Sequence, residues 1–96
     1  MANAIGVLET KGMVALVKGV DAMLKAASVS LAGQYKDVGS AYMSAAVTGD
    51  VASVKAAVEA GATAAAEVGT VVSVHVIARP NDNTATILSP KAPAKK

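Results

Sequence analysis

The chain has no cysteine, no tryptophan and no phenylalanine, and it has only two tyrosines and one histidine. Without cysteine there is no disulfide framework, no thiolate metal site and no cysteine nucleophile. One histidine cannot supply the paired imidazoles of a zinc site. Scarce aromatics remove the stacking platforms that single-stranded nucleic acids need. No uncharged run reaches the roughly 18 residues required to span a bilayer. Glu9 and Lys11 interrupt any apolar leader core near the start. A cytoplasmic protein is therefore expected, with no nucleic-acid or membrane partner, no metal and no cofactor.

What is present is small and apolar. The 96 residues fit one domain. With 53% hydrophobic and 17% charged residues, the chain lies well outside the disorder regime. Alanine supplies 22 positions, so helix and sheet layers can approach closely while much weakly apolar surface is left for subunit contacts. The net charge of +2 comes from the end of the chain. Lys91, Lys95 and Lys96 fall in Ser-Pro-Lys-Ala-Pro-Ala-Lys-Lys, and the other six basic residues are outnumbered by seven acidic ones. A basic tail, expected to be disordered over residues 89–96, is not a clustered nucleic-acid face.

Hydrophobic period divides the chain into six elements. Ala4 to Thr10 reads as a strand and Gly12 opens a helix. Its apolar stripe is Met13, Leu16, Val17, Val20, Met23 and Leu24, with Lys18, Asp21 and Lys25 opposite. Ser28 to Tyr35 is β-rich, Lys36 to Ser40 reads as a turn, and Ala41 to Thr48 as a further strand. Asp50 is placed to cap a second helix running to about Val68. That helix carries Val51, Val54, Val58, Ala62 and Ala65 on one face and a Lys55–Glu59 pair on another, and Gly69 ends it. Val71 to Ile77 is the last strand, and Asn81 to Thr84 a turn. The order β-α-β-β-α-β predicts an α+β, ferredoxin-like fold: an antiparallel sheet with both helices on one face, plus a short C-terminal extension.

No catalytic set emerges. His75, inside Val-His-Val, reads as a sheet residue. Glu9, Asp50, Glu59 and Glu67 are explained as strand-end, cap or helix-surface charges, and Gly49-Asp50 lacks the glycine pattern of a phosphate loop. Arg79 stands isolated between the last strand and Pro80, and Lys25 alone reads as solvated surface.

Several separated stretches resemble one family. Glu9–Gly12 (Glu-Thr-Lys-Gly), Asp21–Ala27 (Asp-Ala-Met-Leu-Lys-Ala-Ala), Val38–Ser40 (Val-Gly-Ser), Gly49–Ala57 and Val72–Pro80 are similar to the single-domain, hexamer-forming shell proteins of bacterial microcompartments. The resemblance covers about residues 3 to 80. It implies a shell (BMC) domain over 3–88 that forms cyclic homohexamers. These tile into facets with other shell proteins, possess a central pore for small metabolites, and meet the targeting peptides of enclosed enzymes. By this likeness Lys25 and Arg79 are hexamer–hexamer edge residues, and Asp37, Val38, Gly39 and Ser40 line the pore. The chain departs from the family pattern at Asp37, often Lys or Glu, at Ala41, often Gly, at Ala78, usually Pro, and at Ser28 and Asn81. The competing expectation is a small ferredoxin-like oligomer acting as a ligand-binding regulator or an enzyme, because this fold alone does not decide function.

Overall fold

A computed structural model describes residues 3–37, 42–81 and 84. Val38, Gly39, Ser40 and the tail from Ser89 to Lys96 lie outside the described residues.

The elements follow the expected order: β1 (Ala4–Lys11), α1 (Met13–Ala26), β2 (Ser30–Asp37), β3 (Tyr42–Gly49), α2 (Val51–Val68) and β4 (Thr70–Ile77). They form one antiparallel sheet of order β2-β3-β1-β4. β1 and β3 are central, and β2 and β4 are open edges. Boundaries shift by one or two residues from the sequence reading, β2 starting at Ser30 and not Ser28. Lys36 and Asp37 belong to β2, in register with Met43 and Tyr42, and not to a turn. Both edge strands carry a register shift, between Leu31 and Gly33 in β2 and opposite Glu9/Thr10 in β4. Such bulges bend an edge strand and make it a poor template for a further strand.

Local chemistry sets the helix boundaries. Gly12 has φ +93°, a conformation open to glycine, and Thr10 Oγ1 donates to its carbonyl at 3.1 Å, which fixes the sharp entry into α1. Asp50 caps α2 doubly: the Ser53 amide donates to Oδ1 at 2.9 Å and the Ser53 hydroxyl to Oδ2 at 3.0 Å. At the other end the Gly69 amide donates to the Ala65 carbonyl at 3.0 Å. Gly69 itself is extended; its missing side chain matters because a Cβ there would lie 2.8 Å from that of Ala15. The Thr84 amide donates to the Asn81 carbonyl at 2.9 Å, the bond of the expected turn.

Both helices cover one face of the sheet, α1 over β1 and β3, α2 over β1 and β4. The layer is held by close backbone approach. A Cβ on Gly61 would sit 2.5 Å from Met23 Cγ and 3.0 Å from the Gly19 carbonyl, and one on Gly6 would sit 2.5 Å from Val58 Cγ2. The buried face of α1 is accordingly Ala15, Leu16, Gly19 and Met23, and that of α2 is Val54, Ala57, Val58, Gly61 and Ala65. This corrects the expected stripe: Met13, Val17 and Leu24 point outward, 57%, 58% and 42% exposed. The Lys55–Glu59 pair is likewise not formed; the ion pairs among the described residues are Lys25–Asp21 and Lys18–Glu67.

Two outcomes follow from this packing. Gly61→Ala forces Met23 and the α1 backbone apart and is expected to lower unfolding free energy by about 1–3 kcal/mol, read from the urea midpoint. The Asp50 carboxyl is held below its ordinary 3.8 by the Ser53 amide first and the Ser53 hydroxyl second. A depressed folded-state value means the cap contributes above that ordinary value and is lost as pH falls through the lower folded one. Asp50→Asn keeps a capping oxygen without titrating. Its thermal midpoint should therefore fall less than the parent's as pH drops below about 4.

Candidate assembly edge and hairpin loop

The antiparallel connections decide where each candidate residue lies. β1 runs from Ala4, opposite Gly49, to Lys11, opposite Tyr42 and Thr70. α1 then runs back, so Ala26 ends near the Ala4 end of the sheet. β4 finishes at Ile77, opposite Ile5, and Arg79 follows at that same end. The β2–β3 hairpin closes between Asp37 and Tyr42 at the Lys11 end. Seven residue steps of strand separate the two ends by roughly 24 Å. Lys25 and Arg79 thus share one end of the domain, and Asp37 occupies the other.

Sharing an end does not bring Lys25 and Arg79 into contact. Lys25 projects from the last turn of α1, on the β3 side, whereas Arg79 leaves β4 on the opposite side of the sheet. Lys25 Nζ meets Asp21 at 2.9 Å, with the side chains 77% and 60% exposed. So open an i,i+4 pair is screened and worth only a few tenths of a kcal/mol. It orients the ammonium at little cost to a new contact.

Arg79 is exposed and, among the described residues, forms no ion pair or side-chain hydrogen bond within its own chain. The next residue, Pro80, is buried and fixed in φ. A free guanidinium with five donors is therefore held on an anchored backbone, which suits it to accept partners from outside the chain.

No chemistry gathers elsewhere among the described residues. No three His, Cys, Asp or Glu side chains come together. His75 pairs in register with Val7 on the sheet face away from the helices and is exposed. Glu9 accepts a 3.3 Å hydrogen bond from Ser73 across the β1–β4 pair. A surface hollow of about 530 Å³ runs along α2 between Ala56, Ala60, Ala64, Glu59 and Glu67.

Sequence reasoning missed the apolar flanks. On the β2 side, Met13, Val17 and Leu24 of α1 and Leu31 of β2 are exposed. Leu16, Val17, Val20, Asp21 and Leu24 there line a groove of about 250 Å³. On the β4 side, Val72 and Val74 are each 40% exposed. The signal was present in α1: the 4-3-4 spacing of Met13, Val17, Val20 and Leu24 marks a second apolar face beside the one that packs on the sheet.

Comparison with known proteins places these features in context. A family model described as the BMC domain matches residues 4–80. The shell protein EutM of Salmonella typhimurium is 54% identical over 79 residues, covering 82% of this chain and 81% of that protein. The shell protein PduA of Citrobacter freundii is 49% identical over 86 residues, covering 90% and 91%. The carboxysome shell protein CcmK2 of Synechocystis is 46% identical over 90 residues, covering 92% and 86%. Among solved structures, a microcompartment protein from Desulfitobacterium hafniense superposes with a TM-score of 0.81 at 29% identity. It covers 94% of this chain, which spans about half (48%) of that longer protein.

Proposed function

Because this chain belongs to the BMC-domain family, the shell proteins of bacterial microcompartments, we propose that six copies close into a ring and that the rings tile edge to edge into shell facets. The domain over residues 3–88 carries this role, with 89–96 as an appended tail. Its work is structural and not catalytic. Its partners are further copies and other shell proteins of the same cytoplasmic compartment, with targeting segments of enclosed enzymes as additional ligands.

The observation that carries this reading is the division of the domain into two ends. Arg79 and Lys25 lie at one end, exposed and available, while the β2–β3 hairpin lies at the other. In a ring with the hairpin inward, Asp37 and the loop Val38–Gly39–Ser40 surround the axis and Arg79 and Lys25 fall on the perimeter. Arg79 then donates to carbonyls of the adjoining ring, and Lys25 lies along its counterpart there.

Six Asp37 carboxylates around the axis make a negative ring. At ~10 Å in water two unit charges repel by about 0.4 kcal/mol, a strain that an assembly tolerates and salt reduces. The same field opposes anions entering the pore, and neutral small molecules are less affected.

Two experiments test the reading. Arg79→Ala should leave ring mass unchanged by light scattering, and unfolding free energy within about 0.5 kcal/mol, yet abolish extended sheets in electron micrographs. Unchanged tiling removes Arg79 from the edge. Asp37→Asn should increase anion flux through assembled shells relative to a neutral probe of similar size, and equal flux removes Asp37 from the pore.

A further inference from the structure

The inward side of α2 is buried in the core, and its outward side has no partner in the domain. That outward side is lined by Ala56, Glu59, Ala60, Thr63, Ala64 and Glu67 around the hollow of about 530 Å³. Alanine gives the hollow a weakly apolar floor. Glu59 stands near its start and Glu67 at its end, and both are exposed. Glu59 forms no ion pair among the described residues, and Glu67 meets Lys18 loosely, at 3.9 Å. Eight helical positions separate the two carboxylates by about 12 Å along the axis.

One segment of the chain has the complementary composition. Ser89–Lys96, Ser-Pro-Lys-Ala-Pro-Ala-Lys-Lys, holds three of the nine basic residues and no acidic one. The rest of the chain carries six basic residues against seven acidic ones, so segment and domain have opposite net charge. Lys91 and Lys95 are four positions apart. In the extended conformation that proline favours, four residues span about 12 Å, the separation of the two carboxylates. The chain also leaves the sheet at the right place. β4 ends at Ile77 opposite Ile5, at the end where Gly49 leads into α2, and α2 packs over β4. The ten residues from Asn81 to Lys91 extend up to roughly 33 Å, whereas Glu59 lies about 12 Å along α2 from Val51.

We propose that Ser89–Lys96 lies along the outward face of α2 of its own copy, with Lys91 at Glu59, Lys95 at Glu67, and Ala92 and Ala94 on the alanine floor. Lys96 brings a second cation to Glu67 and offsets competition from Lys18. Exposed ion pairs are individually weak, but the covalent connection holds the segment at an effective concentration on the order of millimolar. Salt releases such a contact. Docked, the segment covers the α2 alanines; released, it opens them and both carboxylates to other partners. The contact belongs to each copy by itself and does not depend on the ring reading.

The absence of native cysteine makes the contact directly testable. Ala64→Cys is combined with Ala94→Cys in the full chain. The reference is His75→Cys with Ala94→Cys, because His75 is exposed on the sheet face away from the helices and is closer to the segment in sequence. Folding is checked by circular dichroism. Disulfide formation is measured in glutathione buffers, with intrachain and interchain products separated on a non-reducing gel. At low salt the Ala64 variant should form its intrachain disulfide about tenfold more readily than the reference. Sodium chloride at about 0.5 M, or Glu59→Gln with Glu67→Gln, should remove most of that excess. In Ala64→Cys alone, Lys91→Gln, Lys95→Gln and Lys96→Gln together should speed maleimide labelling several-fold. Equal disulfide formation in the two double variants overturns the proposal, as does an excess unchanged by salt and by loss of the glutamates, or labelling unchanged by loss of the lysines. Interchain disulfides in place of the intrachain one overturn it in favour of the segment of a neighbouring copy.

Discussion

Gly19 and Gly61 meet where α1 crosses α2, with no room for a methyl group between the Gly61 Cα and the Gly19 carbonyl. This contact sets the spacing of the helix layer, and much else depends on it. Met23 fills the space beside Gly61, Ala65 and Leu8 close around Gly19, and Gly69 lets the end of α2 pass Ala15. On the sheet side Gly6 admits Val54 and Val58. A core with so little room takes small residues: six of its thirteen buried hydrophobics are alanine. Each alanine buries little area, so the interior of one copy gathers modest hydrophobic free energy. Leu16 and Met23 take up what room there is on the inner face of α1, and Met13, Val17 and Leu24 are left on its outer face.

The same constraint explains what could and could not be seen in the sequence. The six elements, their order and the helix ends were legible because Gly12, Asp50 and Gly69 act locally, through a positive φ, a side-chain cap and a close contact. The core face of α1 was legible in part: Leu16 and Met23 are buried and Val20 packs against the core as expected, whereas Met13, Val17 and Leu24 are exposed. Ranked by hydrophobicity, Met13, Val17 and Leu24 outweigh Ala15 and Gly19, yet these two face the interior, and at Gly19 the helix crossing leaves room for nothing larger. Strand ends were also blurred. Lys36 and Asp37 look like turn residues by composition, but pairing with Met43 and Tyr42 holds them in β2.

The candidate edge residues were legible through family likeness more than through chemistry of their own. Lys25 and Arg79 are 54 positions apart in the chain, and no local signal joins them. Their placement at one end, away from the hairpin, is a consequence of topology: α1 returns to the start of β1, and β4 runs antiparallel to β1. The apolar flanks were illegible for a related reason. A sequence shows that a helix has two apolar stripes but not which one a sheet covers, and Val72 and Val74 look like ordinary buried strand residues until β4 proves to be an edge.

The strengths of the two kinds of contact determine the order in which such an assembly forms. Aliphatic flanks removed from water contribute about 1.5–3 kcal/mol for each fully buried Val or Leu, and salt does little to weaken them. Contacts at the perimeter depend on an exposed arginine and an exposed lysine, and solvated charge pairs contribute up to about 1 kcal/mol each and are screened. In the proposed assembly the apolar contacts therefore form first and persist, and the perimeter contacts follow. In that assembly the edges, joined by weaker bonds, would detach and re-dock until the facet is regular. If the edge were the stronger contact, partial rings would be trapped in the sheet as defects. The domain keeps the exposed aliphatic side chains of α1 apart from the anchored arginine at its end.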